Sequence, residues 1–292
     1  ETFDEDAKLT SLELEIAYTS REMGKGKHVP MAGIPCHSLD GYLSKLIKNG
    51  HRVAICDQVG ESTSKGLVER QVVRVVSPGT LFESSMLDIA RNNFLVSIVF
   101  ANDMVGLSYV DITTGEFAVT QIKAGDLQAE LGRLNPSEIL IPDNQTLNLE
   151  MNDCLVTLVE SYQLDQDKSE LILKGHFGVQ TLDAYGCKDM PLAVAAAGII
   201  ISYVNHTQKS SLSRMQSLHT YFLSDFMLLD NQSRRSLELF QSGRWREGSN
   251  SLLSILDRTN TPMGGRLIRK WISQPLLNLD ELMLRQDQIE VF

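Results

Sequence analysis

Three apolar runs of strand length, at residues 95–100, 105–110 and 116–121, stand in succession with only turn chemistry between them. The connecting Asn102-Asp103 and Thr113-Thr114-Gly115 are hairpin signals, because Asn, Asp and Gly accept the backbone that tight turns need. Runs joined this closely pair antiparallel, since a parallel return takes a dozen or more residues. A helical pattern at 126–134 and a strand at 139–141 follow, so a meander passes into alternating helix and strand. That order predicts an α/β layer domain.

Punctuation divides the chain on both sides of this domain. Ser77-Pro78-Gly79-Thr80 closes a first region, and Cys187-Lys188-Asp189-Met190-Pro191 precedes an Ala-rich helix that opens a third. The expected domains are therefore 1–80, 81–190 and 191–292, with ribonuclease-H-like order in the middle one. In the first, residues 4–14 have helical spacing with acids in the first turn, where the dipole favours them, and 14–18 alternate as a strand. Residues 30–35 read as extended, Ser38 caps a helix stopped by Asn49-Gly50, and 53–56 and 72–76 are short strands around a polar loop at 60–66. This is a small mixed α/β domain. The third region is all-α, with helices expected at 191–206, 233–241, 251–257, 262–272 and 279–292 and with Pro262 and Asp280 at helix starts.

A length of 292 residues supports two or three domains. At 42% hydrophobic and 22% charged, the composition excludes collagen-like, low-complexity and globally disordered material. Cys36, Cys56, Cys154 and Cys187 are too few and scattered for a disulfide framework and have no metal-ligand spacing, so a reduced, cytosolic compartment is expected. The longest apolar run, 192–204, is interrupted by Gly198 and Ser202 and falls short of the roughly 18 residues of a membrane span. No basic-then-apolar leader opens the chain, and neither secretion nor anchoring is indicated. The start at Glu1 without Met, and the end at Phe292 within a helical pattern, read as a piece of something longer.

A net charge of −10 argues at first against nucleic acid, but phosphate responds to one face and not to a sum over the chain. Residues 1–80 hold 10 basic and 11 acidic side chains, 81–192 hold 6 and 17, and 193–292 hold 11 and 9. The acidity belongs to the middle. Within 21–52, Arg21, Lys25, Lys27, Lys45, Lys48 and Arg52 face only Glu22 and Asp40, a net of +4 suited to a polynucleotide backbone. Gly24-Lys25-Gly26-Lys27 is not a nucleotide loop, because His28 and Val29 follow where that motif needs Ser or Thr and a helix; it reads as a basic hairpin tip. No G-x-S-x-G elbow occurs, and His28, His37 and His51 suit surface or capping roles. Asp103, Asp111 and Glu116 could hold Mg²⁺ as in a two-metal nuclease, but in a segment of 17 acids they read first as strand ends. No catalytic or metal site is assigned.

Longer strings carry a resemblance. Pro30-Met31-Ala32-Gly33-Ile34-Pro35, then Val53-Ala54-Ile55-Cys56-Asp57-Gln58, then Thr63-Ser64-Lys65-Gly66, Val68-Glu69-Arg70 and the run from Val72 to Thr80 resemble the mismatch-recognition domain of the bacterial MutS family. Leu256-Asp257-Arg258-Thr259, Thr261-Pro262-Met263-Gly264-Gly265-Arg266-Leu267, Trp271 and Gln274-Pro275-Leu276 resemble the core of the same family. The resemblance implies a recognition domain, a ribonuclease-H-like connector that relays without cutting DNA, and the start of a helical core and lever. Beyond these the family has a DNA-gripping clamp and an ATPase that uses ATP and Mg²⁺. No G-x-x-x-x-G-K-[ST] occurs in this sequence, so no ATP hydrolysis and no cofactor are expected of the chain itself. Mismatched double-stranded DNA, a second copy of the full-length protein and a MutL-type protein are the implied partners. The implied location is cytoplasmic, on the nucleoid when bound to DNA, with no membrane.

The family reads mispairs with a Phe-x-Glu motif, in which the Phe wedges beside the base and the Glu hydrogen-bonds it. Such a wedge unstacks a base step at a cost of a few kcal/mol, offset by contacts to the bent duplex. Glu1 aligns with the Glu; the Phe would lie two positions earlier, and Phe3, on the other side, is expected in the core. Arg21 and Arg70 are implied phosphate contacts, Met31 an apolar contact near the wedge, and Lys27 the basic tip, which makes Glu1, Arg21, Lys27, Met31 and Arg70 the DNA-binding set. The alternatives are a Mg²⁺-dependent nuclease built on the middle domain, or a paralogue whose recognition domain is only scaffold.

Overall fold

A computed structural model of the chain describes residues 1–292 apart from 23–25, 59–69, 84–85, 148–153, 162–165, 241–250 and 292. In the first region β1 (Thr2–Phe3) leads into α1 (Asp4–Leu14), followed by β2 (Tyr18–Glu22), β3 (His28–Ala32), α2 (Leu39–Lys48), β4 (Val53–Gln58) and β5 (Arg70–Val76). The first three strands form an antiparallel sheet of order β1-β3-β2, while β4 and β5 pair as a separate ribbon. Asp4, Glu5 and Asp6 occupy the first turn of α1, and Glu15 closes it in the left-handed region at φ 55°. Leu14 is therefore helical and buried with Ala7 and Thr10, on a face of helical spacing. The strand expected from residue 14 begins only at Tyr18, and the loop expected at 60–66 lies outside the described residues.

The middle meander is β6 (Phe94–Ala101), β7 (Met104–Asp111) and β8 (Glu116–Lys123). After α3 (Leu127–Leu134), β9 (Glu138–Pro142) pairs parallel with β6, β10 (Leu155–Val159) parallel with β9, and β11 (His219–Thr220) parallel with β8. The sheet order is β10-β9-β6-β7-β8-β11, and β7 alone runs against the rest. Side chains sort by the period of two. Leu95, Val99, Val110, Phe117 and Val119 turn to the face covered by α4 (Gln166–Phe177) and α5 (Pro191–Thr207), while Val96, Ile98, Val105 and Leu107 meet Leu127 and Leu131 of α3. Burial on both faces explains why these strands read as continuous apolar runs.

α5, just after the division expected at 190/191, packs into the core of the middle sheet. Its residues Ala193, Ala196, Ala197 and Ile200 are fully buried in the same cluster as Leu95 and Phe117, so the helix is part of the middle layer and a cut ahead of it would split one core. Small residues set the approach. A Cβ on Gly106 of β7 would stand 2.1 Å from the backbone of Leu192, and one on Gly198 2.6 Å from Cβ of Ser169 in α4.

After it come α6 (Asn231–Ser236), α7 (Leu252–Leu256), α8 (Pro262–Ser273) and α9 (Leu279–Glu290). Ser251, Thr261 and Asn278 cap the last three through side-chain oxygens on first-turn N–H groups. Asn278 thus starts α9, and Asp280 sits inside its first turn. Of the helix expected at 233–241, only the part to Ser236 is regular helix, and residue 241 lies outside the described residues. Among the described residues no helix is long and apolar enough to cross a membrane.

One buried carboxylate joins the first region to the sheet. Glu138, wholly inaccessible at the start of β9, accepts hydrogen bonds from the Ser77 hydroxyl, Gly79 N–H (3.1 Å), Thr157 Oγ1 (2.7 Å) and Tyr203 OH (2.8 Å). A Cβ on Gly79 would come within 2.7 Å of Glu138 Cβ, so only glycine allows this approach. Beside it the side chain of Gln208, at the C-terminal end of α5, donates to Thr80 O at 2.7 Å.

Candidate nucleic-acid interface

The β1-β3-β2 sheet has one covered and one open face. Ala32 is fully buried and Thr2 Oγ1 meets Thr10 Oγ1 of α1 at 2.7 Å, so Thr2 and Ala32 turn toward the helix. In the ladder Thr2 lies opposite Ala32, Phe3 and Thr19 opposite Met31, and Arg21 opposite Val29. Directly opposed residues share a face and alternate residues exchange faces. Phe3, Thr19, Arg21, Val29 and Met31 therefore occupy the face away from α1, and Glu1, two positions before Phe3, belongs with them.

The side chains confirm this placement for the two charges. Arg21 Nη1 donates to Glu1 Oε2 at 2.8 Å, with about half of the arginine side chain and 41% of the glutamate exposed. An ion pair so open to water is worth only about 0–1 kcal/mol and exchanges readily for other partners. Met31 is half-buried at the centre of the sheet, giving an apolar floor next to that pair. Phe3, expected in the core, is half-buried on the same open face; it completes the apolar floor instead of packing against α1. Lys27 is exposed next to Gly26, whose φ of +73° shapes the β2–β3 hairpin.

The remaining cations do not converge. Arg70 is exposed at the start of β5, opposite Gln58, in a ribbon that shares no ladder with β1-β3-β2 among the described residues. Lys45 and Lys48 close the last turn of α2, where the dipole favours them, and Lys45 lies over the Tyr42 ring at 5.8 Å. Arg52 lies near the Tyr203 hydroxyl of α5, and Lys25 lies outside the described residues. The +4 of residues 21–52 is thus several local arrangements. His51 Nε2 sits 2.7 Å from Glu13 Oε1, tying α2 to α1; that bond and one from Asn49 draw the Glu13 carboxyl below its ordinary range, the Asn49 bond contributing most.

The acidic trio of the middle domain has structural work. Asp111 is inaccessible and accepts from Thr113 N–H (2.8 Å), Thr113 Oγ1 (2.6 Å) and Asn92 Nδ2 (2.8 Å), an arrangement that builds the β7–β8 turn. Glu116 receives Lys270 Nζ at 2.6 Å. Asp103 lies at the opposite end of β7, about 25 Å away at the rise of an extended strand. These carboxylates cannot share a metal pair, and no group of three or more His, Cys, Asp or Glu among the described residues is arranged to hold an ion. The nuclease alternative has no support.

Sequence reasoning missed Glu138, whose only local signal is a charge opening the apolar run 139–141. It also missed a basic cleft between the middle sheet and α6 and α8, lined by residues as distant in sequence as Arg91 and Arg269.

Comparison with known proteins agrees with this geometry. MutS domain I matches residues 1–85, MutS domain II residues 93–216 and MutS domain III residues 232–292. The DNA mismatch repair protein MutS of Dehalococcoides mccartyi is 47% identical over 294 residues, covering all of this chain and 34% of the relative. Those of Halothermothrix orenii and Methanococcoides burtonii are 42% and 40% identical, over 99% of this chain and 33% and 34% of their own lengths. The chain thus spans about a third of the length of the curated relatives it matches. With all three domain patterns in order along it, and with MutS relatives aligned from end to end, the chain belongs to the MutS family, of which it carries domains I, II and III.

Proposed function

We propose that this chain is the mismatch-sensing part of a MutS-type DNA repair protein. The observation that carries the proposal is the open face of β1-β3-β2, where the exposed Glu1–Arg21 pair stands beside the apolar floor of Phe3 and Met31. Glu1 would hydrogen-bond the mispaired base, Met31 would rest against the disturbed step, and Arg21, Lys27 and Arg70 would hold phosphates. Backbone contacts of this kind position the duplex without reading its sequence.

The middle domain acts in this reading as a connector of ribonuclease-H-like order, supported by a mixed sheet in which only β7 is reversed. On packing grounds it extends through α5 to about residue 216, and the helices that follow begin a core and lever. A signal from DNA would pass through segment 77–80 and Glu138 toward an ATPase that uses ATP and Mg²⁺ in the full-length protein. That protein would act as a homodimer, with a MutL-type protein as recipient of the signal.

The test is a fluorescence anisotropy titration of this chain with matched and single-mismatch duplexes at several salt concentrations. Affinity should fall as salt rises, and Arg21→Ala should weaken binding to every duplex and lower the salt slope by about one. Met31→Ala should act on the mismatched duplex alone. Unchanged binding in both variants would overturn the assignment of this face.

A further inference from the structure

We propose that the cleft between the end of the middle sheet and helices α6 and α8 is a binding site for a small polyvalent anion of phosphate chemistry. The cleft, about 470 Å³, is lined by Arg91, Arg133, Arg234, Arg235, Arg269 and Lys270, against Glu116 as the lining carboxylate among the described residues. The inference stands apart from the DNA-facing sheet and does not depend on it.

Pairing divides these cations into two sets. Arg133 is matched: it makes a bidentate bond to buried Glu130, at 2.9 and 2.5 Å, and lies 5.7 Å from the ring centres of both Tyr109 and Tyr221. Lys270 is held by Glu116, and Arg91 reaches Asp88 at 3.2 Å. The other three make no direct ion pair among the described residues, although Glu130 acts on Arg234 from nearby and Asp88 and Asp257 act on Arg269. Arg234 is buried with its Nε on Leu229 O (2.9 Å) and an Nη on Ser273 O (3.0 Å), so carbonyls fix its direction without cancelling its charge. Arg269 is half-buried, and its Nε is sealed from solvent with no hydrogen-bond partner among the described residues. Burial first, and then the charge of Arg91, pull the Arg269 guanidinium below its ordinary range, with Asp88 and Asp257 opposing them only in part. Arg235 is exposed one position beyond Arg234.

Three guanidinium groups without a direct ion pair around one cleft match an anion of two or more charges better than a single carboxylate. Planar N–H forks fit the oxygens of a tetrahedral phosphate two at a time. A buried donor with no acceptor is the group that such an oxygen would satisfy. The volume admits a pyrophosphate or the diphosphate of a nucleotide.

Calorimetric titration of the full chain with inorganic pyrophosphate, at ionic strength held constant with NaCl, tests the site, and a parallel titration with ADP separates a free phosphate from a nucleotide. One saturable site is expected, with Arg235→Gln and Arg269→Gln each weakening it about tenfold and Lys48→Gln leaving it unchanged. Equal affinities for pyrophosphate and ADP would mean that the phosphates alone are recognised; tighter ADP would add the nucleoside. Arg235 is exposed, so its variant folds and remains a fair test even where Arg269→Gln does not. Absence of saturable heat, or heat unaltered in Arg235→Gln, would overturn the proposal.

Discussion

Glu138→Ala should loosen the joint between the first region and the middle sheet, and its cost can be worked from the partners. Four donors point at this carboxylate. Ser77 Oγ has a second contact in Thr80 Oγ1 at 2.9 Å, and Tyr203 OH has the Ser77 hydroxyl oxygen nearby as an acceptor, so those two hydroxyls can turn elsewhere. Gly79 N–H and Thr157 Oγ1 are left without a partner in a site closed to water, at about 1–3 kcal/mol each. Removing the buried charge returns part of that cost, because its desolvation penalty also disappears. The net expectation is a loss of about 3 kcal/mol, read from urea unfolding followed by far-UV circular dichroism. Glu138→Gln keeps the shape: its amide oxygen can face Gly79, which only donates, while its NH₂ faces Thr157 and Tyr203, whose hydroxyls rotate to accept. That variant should lose only about 1 kcal/mol. An alanine variant within about 1 kcal/mol of the parent, or a glutamine variant as damaged as the alanine one, would refute the reasoning.

Gly106→Ala should destabilise the chain by about 1–3 kcal/mol, because the new Cβ meets the backbone of Leu192, which cannot swing aside as a side chain would; an unchanged unfolding midpoint would show that α5 has room to move. The cysteines should split by reactivity. Burial, reinforced by the charge of Glu138, pushes the Cys154 thiol up to about 12, and burial raises Cys187 as well, whereas Cys36 and Cys56 are exposed. At pH 8 about one Cys154 thiol in 10⁴ is thiolate, the reactive form. Mass spectrometry after brief alkylation should find two labels, with the other two appearing only in urea; early labelling of Cys154 would contradict its burial.

What could be read from the sequence was local. The meander, the acidic start of α1 and the Thr261-Pro262 start of α8 each depend on residues within one turn or hairpin of each other. β10 and α4 escaped because their support is distant: β10 pairs with β9 across a polar stretch, and α4 is fixed by the close approach of Ser169 to Gly198. The set proposed to face DNA comes together in part. Glu1, Arg21 and Met31 share a face because β3 lies between β1 and β2, a pairing order that brings together residues about 20 and 30 positions apart. Arg70 lies outside it, since among the described residues its strand pairs only with β4.

Charge shows why position along the chain is a weak guide to an interface. The net +4 of residues 21–52 suggested one phosphate-binding patch, yet Arg21 is paired with Glu1, Arg52 lies beside Tyr203 and two lysines complete a helix end. Arg91 belongs to the segment holding 6 basic against 17 acidic residues, which as a whole should repel phosphate, but it contributes to a cationic cleft with residues of the third region. Screening makes the local count decisive, because at physiological salt an exposed charge is felt over only about 8 Å. Within that radius the question is which cations already have a partner. Arg133 and Arg235 count equally in any sum, but Arg133 is neutralised by Glu130 and enclosed by two tyrosines, while Arg235 has no carboxylate partner among the described residues. An anion entering the cleft would meet three guanidinium groups held by no ion pair where the sequence counts six cations, and Arg235→Gln removes one of those three.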